Sequence, residues 1–284
     1  MFDVIIIGAG PAGASAARIL MKEKKVLLLD EYYRIGGRLI GQLYEDNNGD
    51  VWNGYEKAET LSGALHHPNL TVKLSTSVTN IEKPKEYYII NTTSGNFKAK
   101  YLLVCTGAQE LAPALPGSTL PGVMTVGAAQ VLTNVQRVAP GNKGAIIGIN
   151  VLSSAILSEL HMAGIEVKIM SLPYCNEVNF QDAIPQNVFK KLLNISHMAP
   201  SFFIKLSTKL LKIMPQIQPL AFKLIPKKGI KLFNTSVHLK KAVVSINGKE
   251  KVESITLKNV DKDGNVISNK EEIIPIDFVC LSGG

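Results

Sequence analysis

Several common signals are scarce or missing in this chain, and each absence removes a class of protein. The three cysteines, Cys105, Cys175 and Cys280, lie far apart, which argues against a CxxC redox pair, a zinc knuckle or a disulfide framework. Five scattered histidines supply no metal-ligand spacing, so no metal is expected. Apolar runs such as Val26 to Leu29 are a fraction of the roughly 18 to 20 residues that span a bilayer. Phe2 opens a strand pattern with no signal-peptide layout before it, and a cytoplasmic protein is expected. Acid is locally scarce too: between Phe180 and Lys231 nine lysines face one carboxylate, Asp182, which accounts for the whole formal net charge of +8. The rest of the chain is close to neutral, so nothing implies a basic surface for nucleic acid. At 284 residues with 46% hydrophobic and 19% charged positions, the chain is too apolar for disorder and long enough for two domains.

Chemistry concentrates at the amino terminus. Phe2 to Ile7 is a β-branched run that reads as a buried parallel strand, and Gly8-Ala9-Gly10-Pro11-Ala12-Gly13 follows without a gap. In this GxGxxG pattern Gly8 permits the tight turn, Gly10 lets backbone approach a pyrophosphate, and Gly13 lets the next helix pack on the strand. Pro11 suits the first helical position, where no amide donor is needed, and the amides from Ala12 onward would face phosphates. The helix through Met21 is expected to bury Ala12, Ala16, Ile19 and Leu20. A second strand, Lys25 to Leu29, ends at Asp30-Glu31, where a dinucleotide fold places the acid that binds the adenosine ribose. Asp30 is the first choice and Glu31 the reserve.

Gly36-Gly37-Arg38, with Gln42 further on, resembles the segment beside the flavin in two-dinucleotide-domain flavoproteins. Tyr101 to Cys105 is another buried-strand run leading into Thr106-Gly107-Ala108, which resembles the threonine-glycine motif closing their FAD-binding half. These resemblances favour FAD over NAD at the first site, with Gly37, Arg38, Gln42, Thr106 and Gly107 as ligands and Val78 beside the adenine. Arg38 reads equally well as a surface arginine in a loop.

The plan repeats. A strand from Gly144 to Ile147 runs into Gly148-Ile149-Asn150-Val151-Leu152-Ser153, a helix to about Ala163 and a strand from Ile165 to Met170, while Asp277 to Gly284 echoes Leu102 to Ala108 with Gly283 matched to Gly107. Asn150 and Ser153 replace the second and third glycines, and no acid follows the second strand. A second nucleotide at Gly148 to Ser153 is disfavoured on those grounds.

Gly36 to Leu43, Thr106 to Glu110, Leu120 to Gln130 and Cys280 to Gly284 together resemble the FAD-dependent amine and amino-acid dehydrogenase subunits. That group includes hydrogen cyanide synthase and the larger chains of opine oxidase, sarcosine oxidase and the hetero-oligomeric proline dehydrogenases. The resemblance implies oxidation of a secondary amine or amino acid by hydride transfer to flavin, in a hetero-oligomer. No residue stands out as a catalytic base. Members of the group continue past the final Ser-Gly-Gly, and their flavin-binding half receives a further glycine-aspartate segment. A chain stopping at Gly284 is expected to be a fragment or to be completed by another chain.

Ser201 to Met214, between Pro200 and Pro215, has Phe203, Leu206, Leu210 and Ile213 at helical spacing and Lys205, Lys209 and Lys212 on another face. Such a helix suits an acidic membrane surface, a partner subunit or its own domain. The expected fold is α/β with two Rossmann-like modules, each a parallel sheet with a β-meander: an FAD-binding module over 1–117 and an NAD(P)-type module over 118–284, with a basic helical insertion at about 180–231. The meanders are expected at Leu70–Val78, Tyr87–Thr92 and Phe97–Cys105, and at Ile230–Val237, Ala242–Ile246 and Val252–Asn259. Three functions stay open: an amine-oxidising flavoprotein subunit, an NAD(P)H-dependent flavoprotein reductase, and a non-catalytic dinucleotide-binding subunit.

Overall fold

A computed structural model describes residues 1–45, 49–194, 218–226 and 228–283. The chain divides into two compact units, Met1–Gln109 and Glu110–Gly284. The division falls eight residues before the expected 117/118 boundary, because Leu115 belongs to the core of the second unit and the Leu111 carbonyl accepts from Gly283 N.

The first unit begins with β1 (Phe2–Ile7), α1 (Pro11–Leu20) and β2 (Val26–Leu29). A short 3-10 helix (Gly37–Gly41) precedes the hairpin β3 (Leu43–Glu45) and β4 (Val51–Asn53). Then come α2 (Gly54–Gly63), β5 (Leu70–Lys73), β6 (Val78–Glu82), β7 (Tyr88–Thr92) and β8 (Gly95–Val104). Its six-stranded sheet has the order β5-β2-β1-β8-β7-β6, with the first four strands parallel. β2 is buried throughout, which is why Val26-Leu27-Leu28-Leu29 is apolar without alternation: a parallel strand between neighbours is covered on both faces. Val4 and Ile6 pack toward Ala14, Ala17 and Met21, while Ile5 and Ile7 pack with Ile90 and Ala99.

Two expectations change here. α1 buries Gly13, Ala14 and Ala17, and leaves Ile19 exposed; small residues take the inner face because helix and strand approach closely. Leu70–Lys73 is a parallel strand beside β2, and the meander starts only at Val78.

The second unit contains β9 (Val123–Thr125), α3 (Val126–Gln130) with a π-helical turn (Val131–Val135), β10 (Lys143–Ile147), α4 (Val151–Met162) and β11 (Glu166–Pro173). Next are α5 (Phe180–Ala183), α6 (Pro185–Asn194) and α7 (Gln218–Leu224). It closes with β12 (Ile230–Leu232), β13 (Thr235–Asn247), β14 (Ser254–Val260), β15 (Val266–Pro275) and β16 (Phe278–Leu281). The sheet order is β15-β14-β13-β11-β10-β16-β9, with β12 paired to β13. This meander lies one strand later than expected: β13 is a single long strand that bends where its register with β11 shifts, and β15 completes the set. β15 has no alternating pattern because it is an edge strand with mostly exposed residues. The expected helix at 201–214 lies outside the described residues. Among the described residues no helix is long and apolar enough to cross a membrane.

Candidate dinucleotide site

Gly8 leaves β1 at φ +101°, and a β-carbon there would collide with the Cys105 carbonyl. At Gly13 a β-carbon would run into the Gly8 carbonyl, so the first turn of α1 can lie against the loop only with glycine at that position. Gly10 differs from both. The nearest atom to a β-carbon at Gly10 is Gly37 Cα at 4.0 Å, and Gly10 caps α1 with no side-chain hydrogen bond. The positive end of α1 is therefore left uncapped by protein side chains, with Pro11 and Ala12 exposed at its start.

Three other segments brace this loop. Gly36 N donates to Ala9 O at 2.9 Å, and the positive φ of Gly36 and Gly37 turns the chain back against Gly10. Cys105 N donates to Ile7 O at 2.7 Å, which sets the exposed Thr106 and Gly107 at the same end of the sheet as the glycine loop. Asp30 forms the third brace: Oδ2 accepts from Ala9 N at 2.5 Å and Oδ1 from Tyr32 N at 2.8 Å. Its carboxylate thus ties the end of β2 to the glycine loop, and the adjacent Glu31 is exposed.

Arg38 and Gln42 are exposed at either end of the 3-10 turn. Gln42 also helps shape the loop through its backbone, donating to Leu39 O and accepting from Gly54 N at 2.9 Å. Val78 is half-buried against the cluster containing Ile5, Ile7 and Leu29 rather than on the loop itself. The segment before Val78 does pass the end of β2, because Thr76 N donates to Asp30 O. Sequence reasoning missed Asn53 and Gly54. Asn53 caps α2 by accepting from Tyr55 N, and Gly54 sits where a β-carbon would meet the Leu39 carbonyl. An Asn-Gly pair ahead of a helical stretch was the available signal.

The second unit repeats this architecture. Gly148 leaves β10 at φ +111°, against the Ser282 carbonyl. Ser282 N donates to Ile147 O as Cys105 N does to Ile7 O, so Ser282 answers to Cys105 and the expected Gly107–Gly283 match is one residue out. The helix start is closed by its own side chains. Asn150 Oδ1 accepts from Ser153 N, Ser153 Oγ accepts from Asn150 N, and Asn150 Nδ2 donates to Ser282 Oγ, each at 2.9 Å. This is a complete capping box at the position left open in α1. Burial, and then the Glu110 carboxylate, push the Cys280 thiol up to about 12. It is not a nucleophile at neutral pH.

Residues 2–194 match the pyridine nucleotide-disulphide oxidoreductase family. The chain belongs to that family. Within the family's range it is similar to the A-subunit of opine oxidase from Agrobacterium tumefaciens (strain Ach5), 32% identical over 58% of this chain and 35% of the relative. It is also similar to the alpha chain of sarcosine oxidase from Corynebacterium sp. (strain P-1), 25% identical over 57% of this chain and 18% of the relative. Among solved structures, L-proline dehydrogenase from P. horikoshii shares the fold, with a TM-score of 0.63 and 21% identity over the whole of this chain and 42% of that one. The chain spans about a third or less of the length of these two curated relatives.

Proposed function

We propose that this chain holds FAD in its first unit and serves as one component of an oxidoreductase that takes a hydride from a secondary amine or an amino acid. The observation that carries the reading is the contrast between two related helix starts: α1 is open and braced on three sides, whereas α4 is closed by Asn150 and Ser153. Gly8, Gly10, Pro11, Ala12 and Gly13 would receive the pyrophosphate and Asp30 or Glu31 the ribose. Gly37, Arg38, Gln42, Thr106 and Gly107 would lie along the flavin portion, with Val78 toward the adenine. Bound FAD would supply the hydride acceptor; the protein binds it, orients it and keeps the loop rigid. The second unit takes no dinucleotide in this reading, because the first-turn amide that would meet a phosphate is already satisfied.

The substrate class follows the relatives, whose names refer to opine, sarcosine and proline. Two of them are named as subunits, which supports a partner chain here as well. We place the protein in the cytoplasm, with the basic 201–214 segment contacting a partner or the inner membrane surface. The test is an anaerobic visible spectrum of FAD-supplemented protein before and after proline, sarcosine and NADH in separate cuvettes. Bleaching by an amine supports the reading. Bleaching by NADH alone replaces it with an NAD(P)H-dependent reductase, and bound flavin that nothing reduces favours a non-catalytic role.

A further inference from the structure

The two units offer an internal comparison at the sheet edge beyond the glycine loop. In the second unit β16 pairs with β10 on one side and with β9 on the other, where Val123, Met124 and Thr125 run parallel to Val279, Cys280 and Leu281. α3 follows β9 and lies against α4 and β16, and Gln130 Nε2 and Asn134 Nδ2 donate to the Glu159 carboxylate on α4. Under that cover β16 is buried at every position and Glu159 is 4% exposed.

Matched through Gly8 and Gly148, and through Cys105 and Ser282, the equivalents in the first unit are Tyr101 to Val104 on β8 and Ile19 on α1. β8 pairs with β1 through Val104, but its pairing with β7 ends at Ala99. Among the described residues no strand occupies the outer edge from Lys100 to Val104. The side chains are bare: Tyr101 is 58%, Val104 60% and Ile19 66% exposed. An apolar stretch of sheet with an unpaired edge is a template for strand addition.

We infer that the first unit docks a strand followed by a helix from another polypeptide, the strand running parallel to β8 along Lys100–Val104 and the helix covering Ile19. The occupant has the chemistry of β9 and α3: a short apolar strand followed by a helix rich in small residues. It comes from another chain because the only such element among the described residues is already engaged on β16 and α4. A parallel strand ends where β1 and β8 end, so the donor delivers its next residues beside Thr106 and Gly107. The inference rests on packing alone and stands whether or not the first unit holds flavin.

The test is hydrogen–deuterium exchange of the full chain, alone and with a synthetic peptide of its own residues 119–134, which carries β9 and α3. In the chain alone residues 100–104 exchange fast; saturating peptide slows them, and the surface around Ile19, by about tenfold or more. Val104→Lys and Tyr101→Lys change exposed side chains, leave the circular dichroism spectrum intact and abolish the protection. Slow exchange at 100–104 without peptide, protection that rises with protein concentration alone, or peptide protection that survives both variants overturns the inference. The second of those results would assign the edge to another copy of this chain. Absence of any peptide protection also overturns it.

Discussion

Replacing Asp30 by alanine separates a clamp from a bystander. Its carboxylate accepts from two backbone amides, Ala9 N at 2.5 Å and Tyr32 N at 2.8 Å, both partly buried. Hydrogen bonds to a charged group contribute about 1.5 to 3 kcal/mol each; taking the low end for a half-buried carboxylate gives about 3 kcal/mol for the pair. For a unit of this size that corresponds to a drop in melting temperature of roughly 12 °C or more. Asp30→Asn keeps one accepting oxygen but sets an amide group against the second donor, so it recovers less than half of the loss. Glu31→Ala, at an exposed position, changes stability by less than about 0.5 kcal/mol. Trp52 is the sole tryptophan and lies in β4 of the first unit, so its fluorescence reports this unit's melting selectively. The reasoning is refuted if Asp30→Ala melts within about 2 °C of the parent, or if Glu31→Ala carries the larger loss. An FAD titration on the same variants distinguishes the ligand role: a ribose ligand at Glu31 weakens binding without moving the melt.

Gly13→Ala drives a β-carbon into the Gly8 carbonyl; we expect flavin retained after gel filtration to fall at least about tenfold, with a loss of about 1 to 3 kcal/mol from overpacking. Asn150→Ala removes the capping box and the bond to Ser282; the second unit should lose about 1 to 2 kcal/mol, read by chemical denaturation, with flavin content unchanged. The Cys280 thiol is held neutral by burial, with its folded pKa raised to about 12 from an ordinary value of 9.0. The unfolded chain therefore releases this proton first, and stability that is full below pH 9 declines as pH rises toward 12. Cys280→Ser or Cys280→Ala should flatten that alkaline limb in urea titrations, and an unchanged limb would exclude Cys280 as its source.

The first βαβ unit was legible because its constraints are local. A glycine needed at positive φ, a proline at a helix start and an apolar run in a doubly covered strand each follow from backbone sterics or burial within a few residues. The altered second copy was visible for the same reason, since Asn150 and Ser153 stand where glycines are required. Periodicity misled where packing was unusual: α1 presents glycine and alanine inward and leaves Ile19 outside, because close approach to β1 leaves no room for larger side chains. It also split β13 in two at a bend and passed over the exposed β15.

Contacts between segments distant in sequence were decided only by the tertiary structure. Asp30 lies 21 residues from Ala9, and no local pattern says that its carboxylate points back to that amide. Gly36 reaches Ala9, and Asn150 reaches Ser282 across 132 residues, only once the parallel sheets have brought strand ends to one side. The bare edge of β8 belongs to the same class. The run from Tyr101 to Cys105 reads as a buried strand because its composition is that of one, and burial depends on a neighbour that composition cannot name.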